Sequence, residues 1–146
     1  MDEILVRYCH FIGIIVLAGT LVAKHMMLTG ELNLAQMQKI ARIDRVYGLS
    51  ALIVLLAGLT LWFGVGKPAE FYAKNWVFHL KVSLFIVMAL LSIYPTIYIN
   101  KICRAKQKLV NVPKSIINTV RLELTCLVII PLSAVYMAKG YGLYAS

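Results

Sequence analysis

The chain has 146 residues, of which 61% are hydrophobic and only 14% charged, and its net charge is +9. A mean hydropathy of +0.82 lies well above that of an ordinary water-soluble domain and excludes one, so the chain reads as an integral membrane protein. Its Lys and Arg residues form no aromatic-interleaved basic surface, which argues against a nucleic-acid partner and for the headgroups of a lipid bilayer.

Crossing a hydrocarbon core takes about 20 mostly apolar residues in a helix, and four stretches qualify. The first runs from Ile4 to Ala23, inside a helix expected over residues 4–28, and contains Arg7 and His10. No cleavable leader is expected, because the residues before it lack a strongly basic start and cleavage after Ala23 would discard His10. A basic connection is expected over Glu31 to Arg42. The second stretch, Val46 to Val65 within a helix at 44–65, carries no formal charge and leads into a turn at Gly64 to Asn75. The third, Trp76 to Ile99 within 75–99, carries His79 and Lys81 near its start and is followed by a polar loop, Asn100 to Lys114. The fourth, Ser115 to Ala138, contains Arg121 and Glu123.

Connections this short make consecutive helices antiparallel neighbours and leave no room for an extramembrane domain. The fold class is therefore an all-α membrane protein, one antiparallel bundle of four transmembrane helices over residues 1–146. Lys24, Lys39, Arg42 and Arg45 flank the first connection, and Lys101, Arg104, Lys106, Lys108 and Lys114 the third, against Arg7, Lys67, Lys74 and Lys139 on the other side. The positive-inside rule places the first and third connections in the cytoplasm of a bacterial inner membrane and both termini in the periplasm.

Pro95 and Pro131 each remove a backbone donor and are expected to kink the third and fourth helices. Gly13, Gly48, Gly58 and the Gly19/Ala23 pair mark places where helices can approach closely. Cys9, Cys103 and Cys126 share neither spacing nor depth, so they read as packing residues and not as zinc ligands or a disulfide framework.

Ionisable groups inside spans are the places to look for function. His10 lies about 9 Å into the first helix and His79 about 5 Å into the third, from the same side of the membrane. Imidazoles at matched depth can clamp a porphyrin as axial ligands, and Arg7 and Lys81 at the same end can reach its propionates. His10 and His79 are thus the candidate metal ligands, His10, His79, Arg7 and Lys81 the candidate haem b contacts, and Lys81 the candidate catalytic residue. The plainer alternative is that each histidine only bonds a neighbouring helix and Lys81 only anchors at the interface. A second polar set, Lys24, Asp44, Arg45, Arg121 and Glu123 with Tyr47, Tyr94 and Thr96 at similar depth, is expected near the cytoplasmic side. There Glu123 pairs with Arg45, Lys24 or Arg121, as a staple between helices or as a proton or substrate site.

The segments Arg7–Gly13, Arg42–Gly48, Trp76–Lys81 and Ser92–Thr96 resemble an uncharacterised family of small four-helix bacterial inner-membrane proteins. More distantly, His10 and Lys81 are similar to the first-helix histidine and third-helix lysine of HemJ-type protoporphyrinogen oxidases. That resemblance implies haem b, a porphyrin substrate and a role for those two residues alone. The combined expectation is a haem b redox protein exchanging electrons with quinone or another acceptor, or a porphyrinogen oxidase. The competing class is a small transporter subunit or assembly factor without cofactor, and a second copy of the chain is a candidate partner in either.

Overall fold

The computed structural model describes residues 3–65 and 76–139. The turn expected at Gly64 to Asn75, with Lys67 and Lys74, lies beyond Val65 outside the described residues. Helix α1 spans Glu3–Met27, strand β1 Glu31–Asn33 and helix α2 Leu34–Thr60, continued by a wider π turn at Leu61–Val65. Helix α3 spans Trp76–Ala105, strand β2 Leu109–Asn111 and helix α4 Lys114–Ala138. All four helices are long and apolar enough to cross a membrane.

Each helix follows from local chemistry. Glu3 sits in the positive first turn of α1 and reaches Arg7 one turn on at 2.7 Å. Asn33 caps α2 by accepting from the Gln36 N–H at 2.8 Å while Gln36 Oε1 accepts the Asn33 N–H at 2.9 Å, so two otherwise orphaned donors are satisfied. Within the spans the hydroxyls of Thr20, Ser50, Thr60, Ser92, Thr125 and Ser133 bond carbonyls of their own helix, which keeps polar groups from facing lipid unpaired.

The expected connections are corrected at one end of the bundle. The segment Glu31 to Arg42 is not a loop: Met37, Ile40, Ala41 and Asp44 are buried at helical spacing, and α2 begins at Leu34. Helix α3 likewise runs past Ile99 to Ala105, with Ile102 buried. Lys106 then takes φ 52°, the left-handed conformation that ends a helix, and its N–H bonds the Cys103 carbonyl at 3.3 Å. The remaining residues form a short antiparallel ribbon in which Leu32 and Val110 face each other, both buried. Backbone bonds from Val112 N–H to Gly30 O at 2.8 Å and from Leu34 N–H to Lys108 O at 3.2 Å extend the ribbon on either side. A small structured cap therefore stands where only loops were expected.

Helices α1 and α2 pack as one hairpin and α3 and α4 as a second, joined through α2–α3 and α1–α4. Most of the tightly buried apolar residues, among them Leu21, Leu28, Met37, Ile40, Ile99 and Ile116, lie in the half nearest the ribbon. The outward faces expose Ile15, Leu49, Leu56, Leu90, Val128 and Leu132, whereas Lys24, Asp44 and Glu123 are buried. Apolar outside with charge inside suits lipid and not water.

At Gly13 α1 and α2 approach closely: a Cβ there would lie 2.9 Å from Val54 Cγ2. Gly19 and Gly48 have nothing within 4 Å of that position, so neither serves a helix contact among the described residues. Cys9, Cys103 and Cys126 are all free thiols.

Candidate functional site

The buried stripe of α1, including Val6, Gly13, Leu17 and Leu21, turns toward α2 and carries His10 at its margin. The His10 ring is half-buried, with Nδ1 3.2 Å from the Val54 carbonyl oxygen. Its Cε1 lies 3.5 Å from where a Cβ of Gly58 would stand, an ordinary contact distance, so the ring packs against α2 at Gly58. A carbonyl oxygen only accepts, so Nδ1 carries the hydrogen and, in the neutral ring, Nε2 keeps the lone pair. Metal-binding histidines are commonly oriented in this way by a backbone acceptor.

The charges of Lys81 and Arg7 both act on His10, which places Lys81 of α3 and Arg7 of α1 in its electrostatic neighbourhood. Lys81 is half-buried, its Nζ 5.5 Å from the centroid of the Phe78 ring. Arg7 is paired on its own helix with Glu3. His79 is exposed on α3, its ring 5.8 Å from that of Phe78, while Phe78 is buried and meets Trp62 edge-on at 4.9 Å. Lys81 and Arg7 are thus within electrostatic range of His10, and His79 is exposed on α3. Two open apolar grooves of about 350 and 240 Å³ follow the α1–α2 seam, both touching Cys9 and Ile53, and neither is lined by His10, His79 or Lys81. Among the described residues no group of three or more His, Cys, Asp or Glu is placed to hold a metal ion.

A second constellation draws on all four helices. Lys24 of α1 is completely buried, its Nζ 2.8 Å from Asp44 Oδ1 of α2 and 3.9 Å from Glu123 Oε2 of α4. Thr96 of α3 donates to Asp44 Oδ2 at 2.6 Å, and the Tyr47 hydroxyl donates to Glu123 Oε1 at 3.4 Å. The Lys24 ammonium also lies 4.4 Å from the centroid of the Tyr47 ring. Asp44, Thr96 and Glu123 are nine or ten residues from the ribbon ends of their helices, about 14 Å by helical rise, and so belong to the spans.

Of the three cations considered for Glu123, the partner is Lys24. Arg45 and Arg121 are exposed, and Arg121 bonds Asn118 on its own helix at 3.5 Å. Tyr94 is likewise outside the cluster, its hydroxyl 2.9 Å from Ser115 Oγ.

Four apolar helices around a buried ion pair define a multi-pass membrane protein. The chain belongs to the DUF2214 family of predicted membrane proteins, whose model matches residues 2–142. No match is found among curated proteins or solved structures.

Proposed function

We propose that the protein binds haem b through His10 and serves as a redox protein of a bacterial inner membrane, with its ribbon in the cytoplasm and its termini in the periplasm. The observation that carries the reading is the Nδ1 contact of His10 with the Val54 carbonyl, which leaves Nε2 as the available ligand atom. Lys81, half-buried and within electrostatic range of His10, is the third-helix group best placed to share the site, as second ligand, propionate contact or contact to a porphyrinogen substrate. His79, two residues earlier and exposed, is the alternative second ligand. Arg7, already paired with Glu3, adds positive charge for the propionates.

Bound there, haem supplies one-electron exchange, with quinone or another small carrier as acceptor. The chain's own contribution is to hold the imidazole in one tautomer through the Val54 carbonyl. A second reading, a transporter subunit or assembly factor without cofactor, draws on the Lys24–Asp44–Glu123 cluster that joins all four helices.

Visible spectra of the detergent-purified protein, oxidised and dithionite-reduced, separate these readings. A reduced b-type band lost in His10→Ala is expected. Loss in Lys81→Ala but not His79→Ala assigns Lys81 as its partner, and the reverse assigns His79. A protein that stays colourless after haem is added overturns the haem reading and favours the second.

A further inference from the structure

The buried cluster holds one ammonium and two carboxyl groups in a space closed to solvent, with Lys24 and Glu123 fully buried and Asp44 nearly so. Lys24 and Asp44 form a complete pair: the ammonium binds Oδ1 at 2.8 Å and the Thr96 hydroxyl binds Oδ2 at 2.6 Å. Glu123 is less well provided. Its Oε1 receives only the long 3.4 Å bond from Tyr47, and its Oε2 has no hydrogen-bond partner among the described residues.

An ionised Glu123 beside an ionised Asp44 leaves one uncompensated negative charge inside the membrane, a state that one proton removes. Oε1 accepts from Tyr47, so Oε2, without a hydrogen-bond partner among the described residues, is the oxygen left for that proton.

We propose that Glu123 is a proton-binding site, which takes up one proton on its carboxyl group and releases it while Lys24 and Asp44 stay ionised. The charged and titratable groups that face it are Lys24 from α1 and Asp44 and Tyr47 from α2. Helix α3 adds the uncharged hydroxyl of Thr96, and Cys126 of α4 acts on Tyr47. Release of the proton creates a second anion 3.9 Å from the Lys24 ammonium, which then divides its attraction between Asp44 and Glu123. Because Asp44 lies in the α1–α2 hairpin and Glu123 in the α3–α4 hairpin, the proton alters how strongly the two hairpins are tied. This proposal is independent of the haem reading.

Infrared spectra of the whole protein in lipid nanodiscs, followed through a pH series in H2O and D2O, test it. A carbonyl stretch of a protonated carboxylic acid is expected at neutral pH, sensitive to D2O, shrinking reversibly as pH rises and absent from Glu123→Gln. Asp44→Asn is expected to lose the band at neutral pH as well, because Glu123 then becomes the only anion facing Lys24. Should Glu123→Gln fail to fold, labelling wild-type glutamates with ¹³C shifts the band if it belongs to a glutamate and leaves it in place if it belongs to Asp44. No band, a band that persists in Glu123→Gln, one that ¹³C-glutamate leaves in place, or one unchanged by pH while the fold is intact overturns the proposal. So does Asp44→Asn retaining the band at neutral pH.

Discussion

Lys24, fully buried, binds Oδ1 of the nearly buried Asp44 at 2.8 Å, so the pair has little water to fall back on. Breaking such a pair by removing one member typically costs about 3–5 kcal/mol, because the partner stays buried and uncompensated. Lys24→Met is therefore expected to destabilise the protein by that order, and adding Asp44→Asn to recover most of it, read from SDS or thermal unfolding of the detergent-solubilised protein. Equal stability of the single and double variants would show that the pair is not what holds the helices there. Lys24 reads by depth alone as a residue flanking the first connection, yet Leu17, Leu21, Lys24 and Leu28 form one helical stripe that marks it as buried. Asp44 and Glu123 sit on similar stripes, with Ile40 and Tyr47 and with Ile116 and Val120. Arg45 is exposed only because it stands one residue, about 100°, round from Asp44. Depth was legible for His10 and His79 too, but helix face was not: it sends one ring toward Val54 and leaves the other exposed.

The seam between α1 and α2 depends on Gly13, whose missing side chain lets Val54 approach. Gly13→Leu is expected to overpack the seam and destabilise by about 1–3 kcal/mol. Gly19→Ala and Gly48→Ala meet open space. They are expected to be neutral or to stabilise by up to about 1 kcal/mol through helix propensity. Unfolding midpoints of the three variants rank these effects, and similar losses at Gly19 or Gly48 would reveal a contact with lipid or a second chain. Four spans were legible because each apolar run exceeds the thickness of the bilayer. The early start of α2 was not, because Gln36, Gln38, Lys39 and Arg42 lower the local hydropathy while Met37, Ile40 and Ala41 keep the helical period. The ribbon was equally hidden: three-residue strands leave too little alternation to distinguish pairing from loop.

At the scale of the whole molecule the β1–β2 pairing has a topological consequence, for it holds the first and third connections at one end of the bundle. Lys39, Arg42, Lys101, Arg104, Lys106, Lys108 and Lys114 are all exposed at or near that end, where no ion pair within the chain neutralises them among the described residues. Such a concentration resists translocation and favours the anionic cytoplasmic leaflet, so the cap is expected to face the cytoplasm. Gln107 is exposed between α3 and β2 and offers a position to test. In a chain with Cys9, Cys103 and Cys126 replaced by Ala, Gln107→Cys is expected to react with a membrane-impermeant maleimide in inverted vesicles and to be protected in intact cells. A cysteine added after Ser146 should show the opposite pattern. Reversal of both patterns would invert the orientation, placing His10 near the cytoplasmic surface and the carboxyl of Glu123 nearer the outer one; labelling of both positions from one side would contradict the four-span topology itself.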